Sequence, residues 1–197
     1  FYQTNVIWID KVKEFAPVTD GFHLSPVYQI QPFDLALKSK FRVGIRYDRD
    51  LVEHSNLGIY YYDGKEEEWV YTPTENNRRK QILTAELEQM DAVTVIQDLD
   101  SPQIKNTFPG NSGRYHIQDV NRIEIEVDDS ISGIESEEAS FDLLLNDNPV
   151  HPAYQPLKKT VSYNFDHPLK EGQHKIDFKV RDRMGNESAG TIYFSVY

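Results

Sequence analysis

Cysteine is absent from all 197 residues, which excludes disulfides, thiolate metal sites and a cysteine nucleophile. A secreted or periplasmic bacterial protein accommodates that absence as readily as a cytosolic one. No apolar run approaches the roughly 20 residues needed to cross a bilayer as a helix, and no charged-then-apolar leader opens the chain. The chain begins at Phe1 within a foldable segment and reads as a piece of a longer protein. Cations are also scarce: 21 Lys and Arg stand against 32 Asp and Glu, for a net charge of −11. Phosphate binding needs clustered cations, so nucleic acid is an unsuitable partner. Helical periodicity is missing too, with Thr84 to Met90 the only weak candidate. There is no Gly-rich phosphate loop, nucleophile elbow or His-Glu-x-x-His helix.

What is present is alternation. Hydrophobic residues make up 39% and aromatics 12%, enough for a packed core. Ile123, Ile125 and Val127 form one run in which every second residue is apolar; Ile176, Phe178 and Val180 form another. That is the period of a strand with one buried face. Each run breaks into an acidic turn containing glycine, Asp128-Asp129-Ser130-Ile131-Ser132-Gly133 and Asp182-Arg183-Met184-Gly185-Asn186. Two strands that end alike are expected to bring their turns to one pole of a domain.

Further strand candidates in the first half are 5–9, 22–24, 27–30, 41–47, 57–62, 69–71, 82–87 and 92–96. Asp63-Gly64 reads as a hairpin turn, and Asp48-Arg49-Asp50 closes the run from Phe41. Asp98-Leu99-Asp100-Ser101-Pro102 reads as a linker, because proline holds the residue before it extended. Beyond it, strand candidates fall at 103–104, 122–127, 141–145, 153–154, 160–165, 174–180 and 191–197, about the number in an immunoglobulin-like sandwich. The expected fold is all-β: two tandem antiparallel β-sandwiches over 1–97 and 98–197, the second immunoglobulin-like.

Two binding chemistries follow from the side chains. Hard cations take several oxygen ligands; Asp98, Asp100, Asp128, Asp129, Asp182 and Asn186 would offer them to calcium if the turns converge with the linker. Ten acidic residues and the single cation Arg122 lie between Asp119 and Asp147, which also suits a solvated acidic face. Asp and Asn equally cap turns through their own backbone amides. Tyr60, Tyr62, Trp69 and Tyr71 could form an aromatic platform for carbohydrate or peptidoglycan, or could simply pack across strands.

The motifs Asp128 to Ile134, Pro168-Leu169-Lys170-Glu171-Gly172-Gln173-His174 and Asp182 to Asn186 resemble bacterial extracellular immunoglobulin-like domains. Leu57-Gly58-Ile59-Tyr60-Tyr61-Tyr62, followed by Trp69 and by Asp98 to Pro102, resembles the sandwich that precedes such a domain. Together they are similar to the C-terminal region of envelope proteins of the lysostaphin-like zinc metallopeptidase family, of the kind found in Bacteroidota-type bacteria. That family's zinc site is His-x-x-x-Asp with a later His-x-His, and none of the six histidines here has either spacing. The resemblance therefore implies no enzyme. It implies a non-catalytic spacer, adhesion or interaction module of a larger secreted or surface protein. The alternative is a carbohydrate- or peptidoglycan-binding accessory module of a cell-wall hydrolase. Implied partners are the parent protein's other domains, cell-wall polysaccharide or a surface protein, in the periplasm, at the cell surface or outside.

Overall fold

The computed structural model describes residues 6–13, 15–18, 21–33, 35, 37–47, 55–136 and 140–197. The expected strand start at Asn5 and the Asp48-Arg49-Asp50 turn lie outside them. Among the described residues there are strands and a 3-10 turn at Pro156–Lys158, with no α-helix. The chain divides into two compact units, Phe1–Asp100 and Ser101–Tyr197.

The first unit contains β1 (Trp8–Val12), β2 (Gly21–His23), β3 (Val27–Gln31), β4 (Phe41–Arg46), β5 (Leu57–Asp63), β6 (Glu68–Thr72), β7 (Thr74–Asn77), β8 (Ile82–Leu87) and β9 (Ala92–Asp98). One sheet runs β1-β3-β9-β5-β6, with β2 also on β9; the other runs β4-β8-β7. Ile45, Ile59, Leu83, Leu87, Val93 and Val95 belong to one core cluster drawn from both sheets. All seven residues of β9 are buried, the polar Thr94, Gln97 and Asp98 among them, so burial along this central strand does not alternate. Along one side of β9, β2 and β3 act as one strand interrupted at Ser25-Pro26. Pro26 has no N–H to give, and the break is bridged by Ser25 Oγ, which accepts the Val95 N–H at 2.9 Å. Asp98 closes β9, paired with Gly21, so it belongs to the first unit and the connecting stretch is 99–102.

The second unit contains β10 (Gln103–Phe108), β11 (Gly113–Tyr115), β12 (Arg122–Asp128), β13 (Phe141–Leu145), β14 (Asn148–Val150), β15 (Ala153–Gln155), β16 (Thr160–Asn164), β17 (Gly172–Arg181) and β18 (Glu187–Val196). Its sheets run β10-β12-β16-β15 and β11-β18-β17-β13-β14. The two runs that stood out by alternation lie in opposite sheets and supply facing layers of one core. Ile123, Ile125 and Val127 come from β12; Ile176, Phe178 and Val180 come from β17. Each such side chain contributes about 1.5–3 kcal/mol on burial. The order places the ends of β12 and β17, and hence both acidic turns, at the same pole.

Candidate functional site

At that pole the turns dock on each other through their backbones. Ile134 bridges Asp182, and the Arg183 N–H donates to the Gly133 carbonyl at 3.0 Å. Gly133 and Gly185 sit at φ +74° and +90°, where a side chain would be strained. Asp129 Oδ1 accepts the N–H of Gly133 at 2.6 Å and of Ile131 at 3.3 Å. Asp182 Oδ1 accepts the N–H of Met184 and of Asn186, both at 2.8 Å, while its Oδ2 accepts Asn186 Nδ2 at 2.7 Å. A carboxylate oxygen of Asp129 lies within 4.8 Å of one of Asp182, beside the Oδ1 atoms that the turn amides hold. Asp128 turns to Lys159 Nζ at 2.6 Å. In the first unit, Asp98 Oδ1 accepts the Asp100 N–H at 3.1 Å.

Burial pushes the Asp129 carboxyl above the usual aspartate value, outweighing the N–H donors of Gly133, Ile131 and Ser132. Its ionised form is therefore penalised in the fold. The penalty vanishes below the unfolded-state pKa, grows as pH rises, and is complete above the folded-state pKa. A carbon-13 carboxyl titration is expected to place Asp129 above the ordinary value for an aspartate. A midpoint at or below that value would refute this.

The four aromatics share one face of the first unit's larger sheet, in the register Tyr60↔Tyr71 and Tyr62↔Trp69. The chain itself occupies much of that face. Phe15 packs at 5.1 Å from the Tyr62 ring and 5.6 Å from Trp69, His23 lies 5.3 Å from Trp69, and the Trp69 indole N–H donates to the Ala16 carbonyl at 3.2 Å. Tyr60 is fully buried. Of the four, Tyr71 lines an open space.

That space is a cleft of about 720 Å³ where the chain crosses from one sheet to the other through Pro73, between β6 and β7. Tyr61 and Tyr71 give it aromatic surface, and the ends of β4 and β8 give it charge. Lys40 Nζ meets Glu88 at 2.8 Å, and Arg42 lies 3.6 Å from Glu86. Lys40 holds the Glu88 carboxyl below its usual range, and burial raises the Tyr61 hydroxyl and the Asp91 carboxyl. The Tyr71 hydroxyl accepts the Thr74 N–H at 3.3 Å, and Thr72 Oγ1 donates to the Glu86 carbonyl at 3.4 Å. Sequence reading reached Tyr71 but not the rest, because the lining comes from strands far apart in the chain and has no spacing of its own.

No protein-family model and no curated protein sequence matches the chain. Among solved structures it is similar to CopC from Methylosinus trichosporium OB3b, with 14% identity over 48% of this chain and 92% of that one, at a TM-score of 0.39. It is similar to dimeric latent PorU from Porphyromonas gingivalis, with 12% identity over 89% of this chain and 22% of that one, at 0.37. It is also similar to the extracellular domain of BT4673 from B. thetaiotaomicron, with 12% identity over 90% of this chain and 29% of that one, at 0.30. Likenesses this faint assign neither a family nor a chemistry.

Proposed function

We propose that the chain is a non-catalytic spacer and interaction module of a larger bacterial cell-envelope protein, situated in the periplasm, at the surface or outside the cell. One observation carries this reading: the carboxylates that stand out in the sequence serve the fold. Asp129 and Asp182 hold the amides of their own turns, and Asp128 is paired with Lys159. The histidines described in contact behave likewise. His174 Nε2–H donates to the Lys170 carbonyl at 2.8 Å, which leaves Nδ1 to accept from Asn146 Nδ2 at 3.0 Å; His23 lies between Thr94 and the Ala16 carbonyl. Further support comes from the immunoglobulin-type strand order of the second unit and from the motifs that resemble the non-catalytic part of lysostaphin-like zinc metallopeptidase envelope proteins.

Purified residues 1–197 are expected to release neither peptides nor sugars from cell-wall sacculi, nor peptides from casein, with or without added zinc. Zinc-dependent release abolished by replacing one of the six histidines would overturn the reading.

A further inference from the structure

We propose that the cleft lined by Tyr61 and Tyr71 in the first unit is a saccharide-binding site that takes a short neutral oligosaccharide. Its volume, about 720 Å³, falls within the range of small-ligand sites. Its chemistry is mixed in the way a sugar is mixed. A sugar ring offers an apolar C–H face and a rim of hydroxyls, each both donor and acceptor. Tyrosine presents a ring face together with a polar tip. Carboxylates only accept and ammonium or guanidinium groups only donate, and the cleft sets both kinds side by side.

Some of these groups already have partners. Lys40 and Arg42 pair with Glu88 and Glu86 at the exposed rim, and Thr84 Oγ1 donates to Glu75 Oε2 at 3.4 Å. Asp91, another lining residue, takes a side-chain hydrogen bond from Gln89, while its buried Oδ2 has no hydrogen-bond partner among the described residues. A buried acceptor in that state is costly, and a ligand hydroxyl that reached it would relieve the cost.

Charge selects among ligands. The lining holds four carboxylates, Glu75, Glu86, Glu88 and Asp91, against Lys40 and Arg42. The excess of negative charge repels phosphates and uronates. Two of the four carboxylates are already paired to those cations, which weakens their pull on a basic peptide. A neutral polyol escapes the repulsion and can use both the paired and the remaining groups as donors and acceptors. The platform conceived from sequence is thereby relocated: of its four aromatics only Tyr71 faces the cleft, because the chain packs over the others. The proposal rests on the non-catalytic reading, under which a bound glycan is held and left intact.

The test screens the full chain on an array of neutral, amino-sugar and uronic-acid oligosaccharides beside basic peptides, then titrates the best-retained glycan by calorimetry. Neutral oligosaccharides are expected to be retained. Their affinity should fall at least tenfold in Tyr71→Ala and in Thr84→Arg, which fills the cleft without removing a core side chain. It should stay within twofold in Lys105→Ala, on the other unit. Melting curves show which variants are folded, and Thr84→Arg decides the matter if Tyr71→Ala is not. Retention of no glycan, retention of basic peptides alone, or an affinity unchanged in folded Thr84→Arg would overturn the site while leaving the non-catalytic reading intact. Cleavage of a glycan that still requires the cleft would overturn the non-catalytic reading and leave the site standing.

Discussion

Asp182→Ala is expected to remove about 3–5 kcal/mol of stability from the second unit, since hydrogen bonds to a charged acceptor each contribute about 1.5–3 kcal/mol and do not add fully. Asp182 is 5% exposed and accepts three hydrogen bonds from its own turn. Alanine leaves the Met184 and Asn186 amides facing a buried space without their acceptor. Asp182→Asn keeps a carbonyl oxygen at the Oδ1 position and can still close the turn, so its cost should be smaller, about 1–2 kcal/mol. Urea unfolding followed by circular dichroism separates the two variants. Equal losses in Ala and Asn would show that charge at this position, and not turn geometry, is what matters.

The second large effect concerns a close approach across β17 and β18. Phe178 pairs with Gly190, and a Cβ built on Gly190 would stand 2.5 Å from Phe178 Cζ and 2.9 Å from Cε1. Glycine is required here by space, since the ring lies over the neighbouring backbone. Phe178→Ala should cost about 3–5 kcal/mol through lost burial and the cavity left behind. Gly190→Ala should cost about 1–3 kcal/mol by overpacking. With the ring gone the new methyl has room, so the double variant should be more stable than the sum of the two losses predicts, by about 1–2 kcal/mol. Strict additivity in a double-mutant cycle would count against ring contact as the reason for the glycine.

The alternation of Ile123, Ile125 and Val127, and of Ile176, Phe178 and Val180, was legible because one-sided burial imposes a period of two on a strand, and these six are core residues. The meeting of the two acidic turns was legible from their shared ending. The short strands β7, β11 and β14 were not. Thr74–Asn77 buries almost nothing, and Gly113–Tyr115 and Asn148–Val150 are only three residues each. Such strands exist because a longer neighbour offers them unpaired backbone groups, and that information lies in the neighbour. Asp98 reads as linker from its company, the run Asp98-Leu99-Asp100-Ser101-Pro102, yet it ends the buried strand β9. The covering of Trp69 by Phe15 and Ala16 spans more than fifty residues, and nothing local at either end announces it. Hairpin and turn chemistry is written in adjacent residues, whereas the cleft and the covered aromatic face are products of tertiary packing.

The strand β11 has a consequence for how the second unit bears tension. It runs parallel to β18, in the register Gly113↔Phe194, Arg114↔Ser195 and Tyr115↔Val196. The pairing is extended by the Ser112 N–H to the Tyr193 carbonyl, the Tyr197 N–H to the Tyr115 carbonyl and the Ile117 N–H to the Tyr197 carbonyl. In a parallel pair, the start of one strand and the end of the other lie at opposite ends of the ladder. A pull applied across the unit, toward Ser101 on one side and Tyr197 on the other, drags β11 and β18 lengthwise past each other. The rungs between them are then loaded together in shear, whereas an antiparallel hairpin pulled from its two open ends would unzip one rung at a time. Rupture under force is governed by the unfolding rate, and a ladder whose rungs must break together raises that barrier. Pulled between Ser101 and Tyr197, the second unit is therefore expected to resist until this ladder ruptures.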